Sequence, residues 1–293
     1  MPELPEVETV RRDIAARYVG DELATLVVSG ARTVRRHDVG ALRTLAGRRL
    51  TGAARHGKYL ILEWEGPELL VVHLRMSGQL LAADGLEMHP AHTHCVFDFR
   101  RQGPLLFVDP RTFGEMFLPS MLSLPALAPS GGHRAKLAPA AWPGRDPLPA
   151  GMSHLGPDAL EVTTAHLASV AAGRRLAVKA LLADQVALAG IGNIYSDEIC
   201  WHARVSPVTP AGKLKPAQLR RLVSAAHQVL SAAIEARGST LADEQYCDLY
   251  GRPGSYQSQH GAYGRSVCLR CGGPIVRLRA GPRLSYCCNR CQR

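Results

Sequence analysis

At 293 residues the chain is long enough for two domains, each with its own core. Thirty-five Lys and Arg against 25 Asp and Glu give a net charge of +10, with a pI near 9.5. That balance points to a polyanionic partner, nucleic acid ahead of an acidic membrane surface. No apolar run of about 18 residues occurs and no apolar leader-type segment follows the N-terminus, so neither a membrane span nor a secretory signal is expected. Of eight cysteines, Cys95, Cys200 and Cys247 stand singly and five crowd into the last 26 residues, which reads as metal binding in a reducing compartment.

The chain opens Met1-Pro-Glu-Leu-Pro-Glu-Val-Glu-Thr-Val10. Proline after the initiator leaves Met1 removable, and Pro2 then carries a secondary amine in a rigid ring beside the Glu3 carboxylate. An α-amino group titrates at roughly 7.7–8, against roughly 10.4 for lysine, so near neutral pH it is far more often a nucleophile. Attack on a sugar C1′ by such an amine gives an iminium, with Glu3 placed to manage protons. The same residues also read as a helix start. Pro5 and the early glutamates suit the first turn, and Leu4, Val7, Val10, Ile14 and Tyr18 form an apolar stripe.

Residues 23–119 read mostly as strands, with short apolar runs at Leu69–Leu74, Cys95–Phe99 and Leu105–Val108 between turn signals. An antiparallel sandwich or barrel is expected there. Residues 119–153 hold seven prolines and a Gly-Gly pair and read as a linker or insertion. From Thr163 the pattern is helical, and Leu219, Leu222, Val223, Ala226, Val229, Leu230 and Ile234 repeat at helical spacing up to Gly238, a C-cap.

Four places carry candidate chemistry. Lys58, in Arg55-His-Gly-Lys-Tyr-Leu-Ile-Leu62, is by its own pattern a solvated lysine at the mouth of a strand. Met76 and Phe113 fall in His73-Leu-Arg-Met-Ser-Gly78 and Asp109-Pro-Arg-Thr-Phe-Gly114; they read either as core residues or as wedges that could fill a stack emptied of its base, with Arg111 beside them. Small residues around Asn193 let backbone approach a phosphate, and Asn193 can cap a helix; an ordinary helical corner is the alternative. Cys268-x2-Cys271 and Cys288-x2-Cys291, sixteen residues apart, have the spacing of one structural zinc site. Cys287 is a further thiol beside it, but only Cys288 gives the two-residue gap to Cys291.

The opening segment, the Gly-Lys-Tyr-Leu stretch, both wedge segments, Leu188–Tyr195 and the cysteine hairpin together resemble the bacterial formamidopyrimidine-DNA glycosylases, in the right order from Pro2 to Gln292. The resemblance implies an α+β protein: an N-terminal β-sandwich flanked by helices (2–118), the 119–153 linker or insertion, a helix–two-turn–helix domain (154–262) and a β-hairpin zinc finger (263–293). It implies a glycosylase with AP lyase activity on oxidised purines in damaged double-stranded DNA. Pro2 would be the nucleophile, Glu3 and Lys58 the proton handlers, and Arg283 the lesion-phosphate grip. Met76, His92, Arg111, Phe113, Arg174, Lys179 and Asn193 would contact DNA, and Cys268, Cys271, Cys288 and Cys291 would hold the zinc. A monomer in the bacterial cytoplasm, associated with the nucleoid, is expected. Two rivals are an endonuclease VIII-like enzyme for oxidised pyrimidines, disfavoured by Leu4 and the Gly251–Tyr256 loop, and a non-catalytic zinc-containing DNA-binding protein.

Overall fold

The computed structural model describes residues 1–83, 88–121, 148–241, 246–280 and 283–293. Most of the 119–153 stretch read as a linker or insertion lies outside them. Two compact units emerge. Unit 1 takes in Met1–Pro2, Glu6–His154 and Leu241–Pro253, and unit 2 takes in Glu3–Pro5, Leu155–Thr240 and Gly254–Arg293.

Among the described residues unit 1 is built on helix α1 (Leu4–Tyr18), apart from its first two residues, and on eight strands. The apolar stripe of α1 is the reason it docks: Val7, Val10, Ile14 and Tyr18 are at most 1% exposed. Strands β1 (Leu23–Val28), β6 (Thr93–Phe99), β7 (Gly103–Val108) and β5 (Gln79–Ala82) form one antiparallel sheet in that order. Strands β2 (Leu50–His56), β3 (Tyr59–Trp64), β4 (Leu69–His73) and β8 (Glu115–Phe117) form the other. In β6 alternate residues Cys95, Phe97 and Phe99 are buried, as period-two patterning requires, and they join α1, Leu62, Trp64 and Phe107 in one core. The 246–253 segment, assigned by sequence to the helical domain, belongs to this unit instead. Tyr246 and Leu249 are buried in the sheet core, and the Ala82 N–H donates to the Leu249 carbonyl at 2.8 Å.

Unit 2 is helical: α2 (Thr164–Ala171), α3 (Val178–Leu182), α4 (Asn193–His202) and α5 (Pro216–Glu235), then the antiparallel hairpin β9 (Val276–Ala280) and β10 (Arg283–Cys287). Pro216 opens α5 and the Gln218 side chain accepts the Lys215 N–H at 2.9 Å. All seven apolar residues named for α5 are buried, but the C-cap is Ala236, two residues before the Gly238 expected there; Arg237 (φ 60) turns left-handed and Gly238 (φ +82) follows, donating to the Ala233 carbonyl at 2.7 Å. The fold class expected from sequence is the one observed, with a single α-helix on the sheets of unit 1 among the described residues. Among those residues no helix is long and apolar enough to cross a membrane.

Candidate active site and zinc centre

In unit 1, Lys58 sits in the turn between β2 and β3 after Gly57 (φ +58), and it is buried, 6% exposed. The solvated reading of that lysine therefore fails. Its turn is braced from α1: Arg55 donates from Nε to Glu8 Oε2 at 3.1 Å and from a terminal nitrogen to the Gly57 carbonyl at 3.0 Å. Glu8 also accepts from Arg11 and Arg12 at 2.8–3.0 Å. Burial alone would raise its pKa, but the three guanidinium groups outweigh that and hold it at about 2. His73, at the end of β4, accepts the Arg75 N–H on Nδ1 at 2.9 Å. Burial, helped by the charges of Arg75, Lys58 and Arg36, holds its imidazole well below the ordinary histidine range.

Met76 and Phe113 are not core residues. Each is 41% exposed, Met76 in a turn and Phe113 just after one, and the Arg111 guanidinium lies 5.0 Å from the Phe113 ring centre. Arg111 and His92 are exposed. Arg75 (φ 54), His92 (φ 65) and Thr112 (φ 53) are left-handed, a conformation that costs a non-glycine residue about 1–3 kcal/mol and clusters at functional loops. Pattern reading missed Asp109, which is fully buried and bonds to both wedge segments. The Asp-Pro-Arg run was its available signal, because Asp favours bonds to backbone two residues on.

In unit 2, the Glu3 carboxylate is 1% exposed and accepts the N–H groups of Gly192 (2.5 Å), Ile194 (2.9 Å) and Tyr195 (3.4 Å). It thereby satisfies the orphan donors at the start of α4. Asn193, expected as a cap, is instead the first helical residue, and Gly192 occupies the cap position without a side-chain bond. The small residues serve the N-terminal segment as well. A Cβ on Gly190 (φ +114) would lie 2.5 Å from Leu4, whose N–H donates to the Gly190 carbonyl at 3.0 Å.

Lys179, expected at DNA, is buried in α3. It is 2.8 Å from Asp197 Oδ2 and 2.7 Å from the Leu284 carbonyl. Asp197 in turn accepts from the Ser285 hydroxyl and from the Tyr286 N–H at 3.1 Å. Lys179 therefore ties the hairpin to α4, because an unpaired ammonium could not stay in that interior. Arg174 is exposed and 3.6 Å from Asp184, and Arg283 at the start of β10 is exposed as well.

The four expected cysteines converge. Their sulfurs lie within 4.8 Å of one another, Cys271 and Cys288 at 3.5 Å and Cys268 and Cys291 at 4.0 Å. A tetrahedral zinc with Zn–S bonds of about 2.3 Å needs sulfur separations of about 3.8 Å, so the residues fit the ion. Cys287 is outside the cluster. A feature no spacing rule revealed stands behind Cys268: Trp201 of α4 donates its indole N–H to the Cys268 sulfur at 3.3 Å. Arg270 covers the Trp201 ring at 4.0 Å, and Gly261 leaves room for it, since a Cβ there would lie 2.3 Å from the ring.

Residues 1–116 match the model of the formamidopyrimidine-DNA glycosylase N-terminal domain, 155–245 that of its H2TH domain, and 265–293 that of the zinc finger found in FPG and IleRS. Two sheets on a helix, a helix–two-turn–helix unit and a four-thiolate hairpin thus define a DNA-repair glycosylase architecture. The formamidopyrimidine-DNA glycosylase of Acidothermus cellulolyticus is 38% identical over all of this chain and 97% of its own length. That of Chloroflexus aurantiacus is 38% identical, over all of this chain and 98% of its own. The crystal structure of MutM (Fpg) from Thermus thermophilus superposes with a TM-score of 0.79 at 32% identity, covering 99% of this chain and 98% of that one. Wild-type Lactococcus lactis Fpg in complex with DNA containing N7-benzyl-Fapy-dG gives 0.80 at 27% identity, covering 99% of each chain. The chain belongs to the formamidopyrimidine-DNA glycosylase family.

Proposed function

We propose that this chain excises oxidised purines from damaged duplex DNA through a Schiff base on Pro2, acting as a monomer in the bacterial cytoplasm. It is a DNA glycosylase with AP lyase activity. The observation that carries the residue assignment is the anchoring of Glu3 by three backbone donors, which fixes the residue next to the nucleophile. With Met1 removed, the Pro2 nitrogen attacks C1′ and the bond to the base breaks, the base leaving with the electron pair and taking up a proton. Ring opening gives the iminium. Loss of a C2′ proton then expels the 3′ phosphate, and a further elimination expels the 5′ phosphate. Glu3 serves base departure and ring opening, and Lys58 shuttles protons in the eliminations.

Met76, Arg111 and Phe113 enter the space the flipped nucleotide leaves, and their exposure in or just after turns supports that use. His92, Arg174, Asn193 and Arg283 contact the backbone, which positions the protein without reading sequence. The four cysteines hold one zinc. Four thiolates leave no open position, so the ion supplies fold to the hairpin and no reaction step.

Borohydride reduction during turnover tests the assignment. It is expected to trap a protein–DNA adduct mapping to residue 2 of the gene-encoded chain. An adduct on Lys58, or a mature protein that retains Met1, would sink it.

A further inference from the structure

We infer that Asp109 is a positioning residue that joins three loops of unit 1 into one rigid wedge. The inference rests on the function proposed above. The loops are those of Arg75-Met76-Ser77, of His92, and of Arg111-Thr112-Phe113, and each holds one non-glycine residue in the left-handed region. Such turns relax unless something over-determines them. Asp109 does so with all of its polar atoms. Its Oδ1 accepts the Ser77 hydroxyl at 2.5 Å and the Arg111 N–H at 3.2 Å, and its Oδ2 accepts the Gly114 N–H at 2.6 Å. Its N–H donates to the His92 carbonyl at 3.0 Å, and its own carbonyl accepts the Thr112 N–H at 3.2 Å. It is fully buried, so no water competes for these bonds.

A second strut runs parallel. Glu115, one residue past Gly114, accepts from Arg75 at 2.6 Å and from Arg36 at 3.2 Å. The loops also share a floor. A Cβ on Gly78 would lie 3.1 Å from the Phe107 ring and one on Gly114 would lie 2.6 Å from it, so both loops rest on that ring. Met76 and Phe113 consequently cannot move apart, and Arg111 reaches the orphaned base with a fixed origin. Opposite-base discrimination by Arg111 thus depends on a carboxylate that touches no DNA.

Ser77→Ala removes only the bond across the loops. Asp109→Asn sets an amide NH2 against a donor in either orientation. Both variants are compared with wild type once melting temperature and zinc content show them folded. Single-turnover excision of 8-oxoguanine opposite cytosine and opposite adenine is measured, with 2-aminopurine fluorescence beside the lesion reporting insertion. Loss of the charged bond should lower the cytosine-to-adenine ratio and slow insertion by roughly tenfold, while affinity for a duplex bearing an abasic analogue stays within about twofold. If the folded variants keep the wild-type ratio and insertion rate, the inference falls and the function stands. If wild type fails to excise 8-oxoguanine at all, the function falls first.

Discussion

Glu3 caps a helix that begins far along the chain, at Asn193: its Oε1 lies 2.9 Å from the Ile194 N–H, while Oε2 takes the Gly192 N–H. Glu3→Gln should impair base release, because the amide cannot carry a proton, and leave DNA binding nearly intact. Either amide orientation loses at least one of the three cap bonds, so stability should fall by about 1 kcal/mol. Glu3→Ala should cost about 2 kcal/mol or less. Single-turnover excision paired with urea melts would separate the two roles. Full excision by Glu3→Gln would leave Glu3 as a cap alone.

Lys179 and Arg283 are both basic and belong to different physics. Arg283→Ala removes an exposed charge and should reduce the salt slope of DNA binding by about 0.9. Lys179→Met strips Asp197 of its buried partner, which costs about 3–5 kcal/mol, yet it should leave that slope unaltered where the variant is folded. Titrations at several salt concentrations give both slopes. An equal drop in both would put Lys179 at a phosphate.

These two residues mark where the sequence was legible. The α1 stripe, the α5 repeat and the cysteine pairs are local patterns, and each is read correctly because spacing alone decides it. Lys179 and Arg283 have the same chemistry in a string of letters, and only the fold buries one against Asp197. Met76 and Phe113 have the letters of core residues, and the turns that carry them outward are stabilised by Asp109, Ser77 and Glu115, whose bonds between the two segments span 32 and 40 positions. The Glu3 cap is illegible for the same reason.

Trp201 should act on the zinc without touching it. Its N–H bond to the Cys268 sulfur lowers the electron density available to competitors for that ligand. Trp201→Phe keeps the ring under Arg270 and removes only the donor, so transfer of zinc to a chromogenic chelator should quicken by roughly tenfold. Cys268→Ser should lose the metal and with it the order of the hairpin. An unchanged transfer rate in Trp201→Phe would show that the contact is packing only.

His260 predicts a pH dependence. It is 2% exposed, 3.1 Å from the Ser239 hydroxyl, which is 3.2 Å from the Tyr195 hydroxyl. Burial, aided by the Arg265 charge and opposed by a bond to the Tyr263 backbone, lowers its imidazole to about 4. The unfolded histidine titrates near 6.5, so above that pH neither state carries the proton and His260 has no effect. As pH falls, the unfolded chain is protonated first, and stability is lost from about 6.5 down to about 4, by roughly 3 kcal/mol in total. Urea melts at pH 7 and pH 5 should differ less in His260→Leu than in wild type. Equal differences would show the histidine protonated in the folded protein.

The last prediction concerns the base left behind. Arg111 lies over the Phe113 ring at 5.0 Å on an exposed turn, so its donors and the apolar wedge arrive together. A guanidinium entering the emptied stack can meet the acceptors of an orphaned cytosine, whereas adenine satisfies them less well. One good bidentate contact discriminates by about 1–3 kcal/mol, or roughly five- to a hundred-fold in rate. The wild-type protein should therefore process 8-oxoguanine opposite cytosine faster than opposite adenine. Arg111→Ala should flatten that ratio while leaving the slower rate in place. Phe113→Ala should slow both substrates alike, because it removes the wedge and spares the reader. Single-turnover rates on the two duplexes decide between them. A preserved ratio in Arg111→Ala would confine this arginine to the backbone.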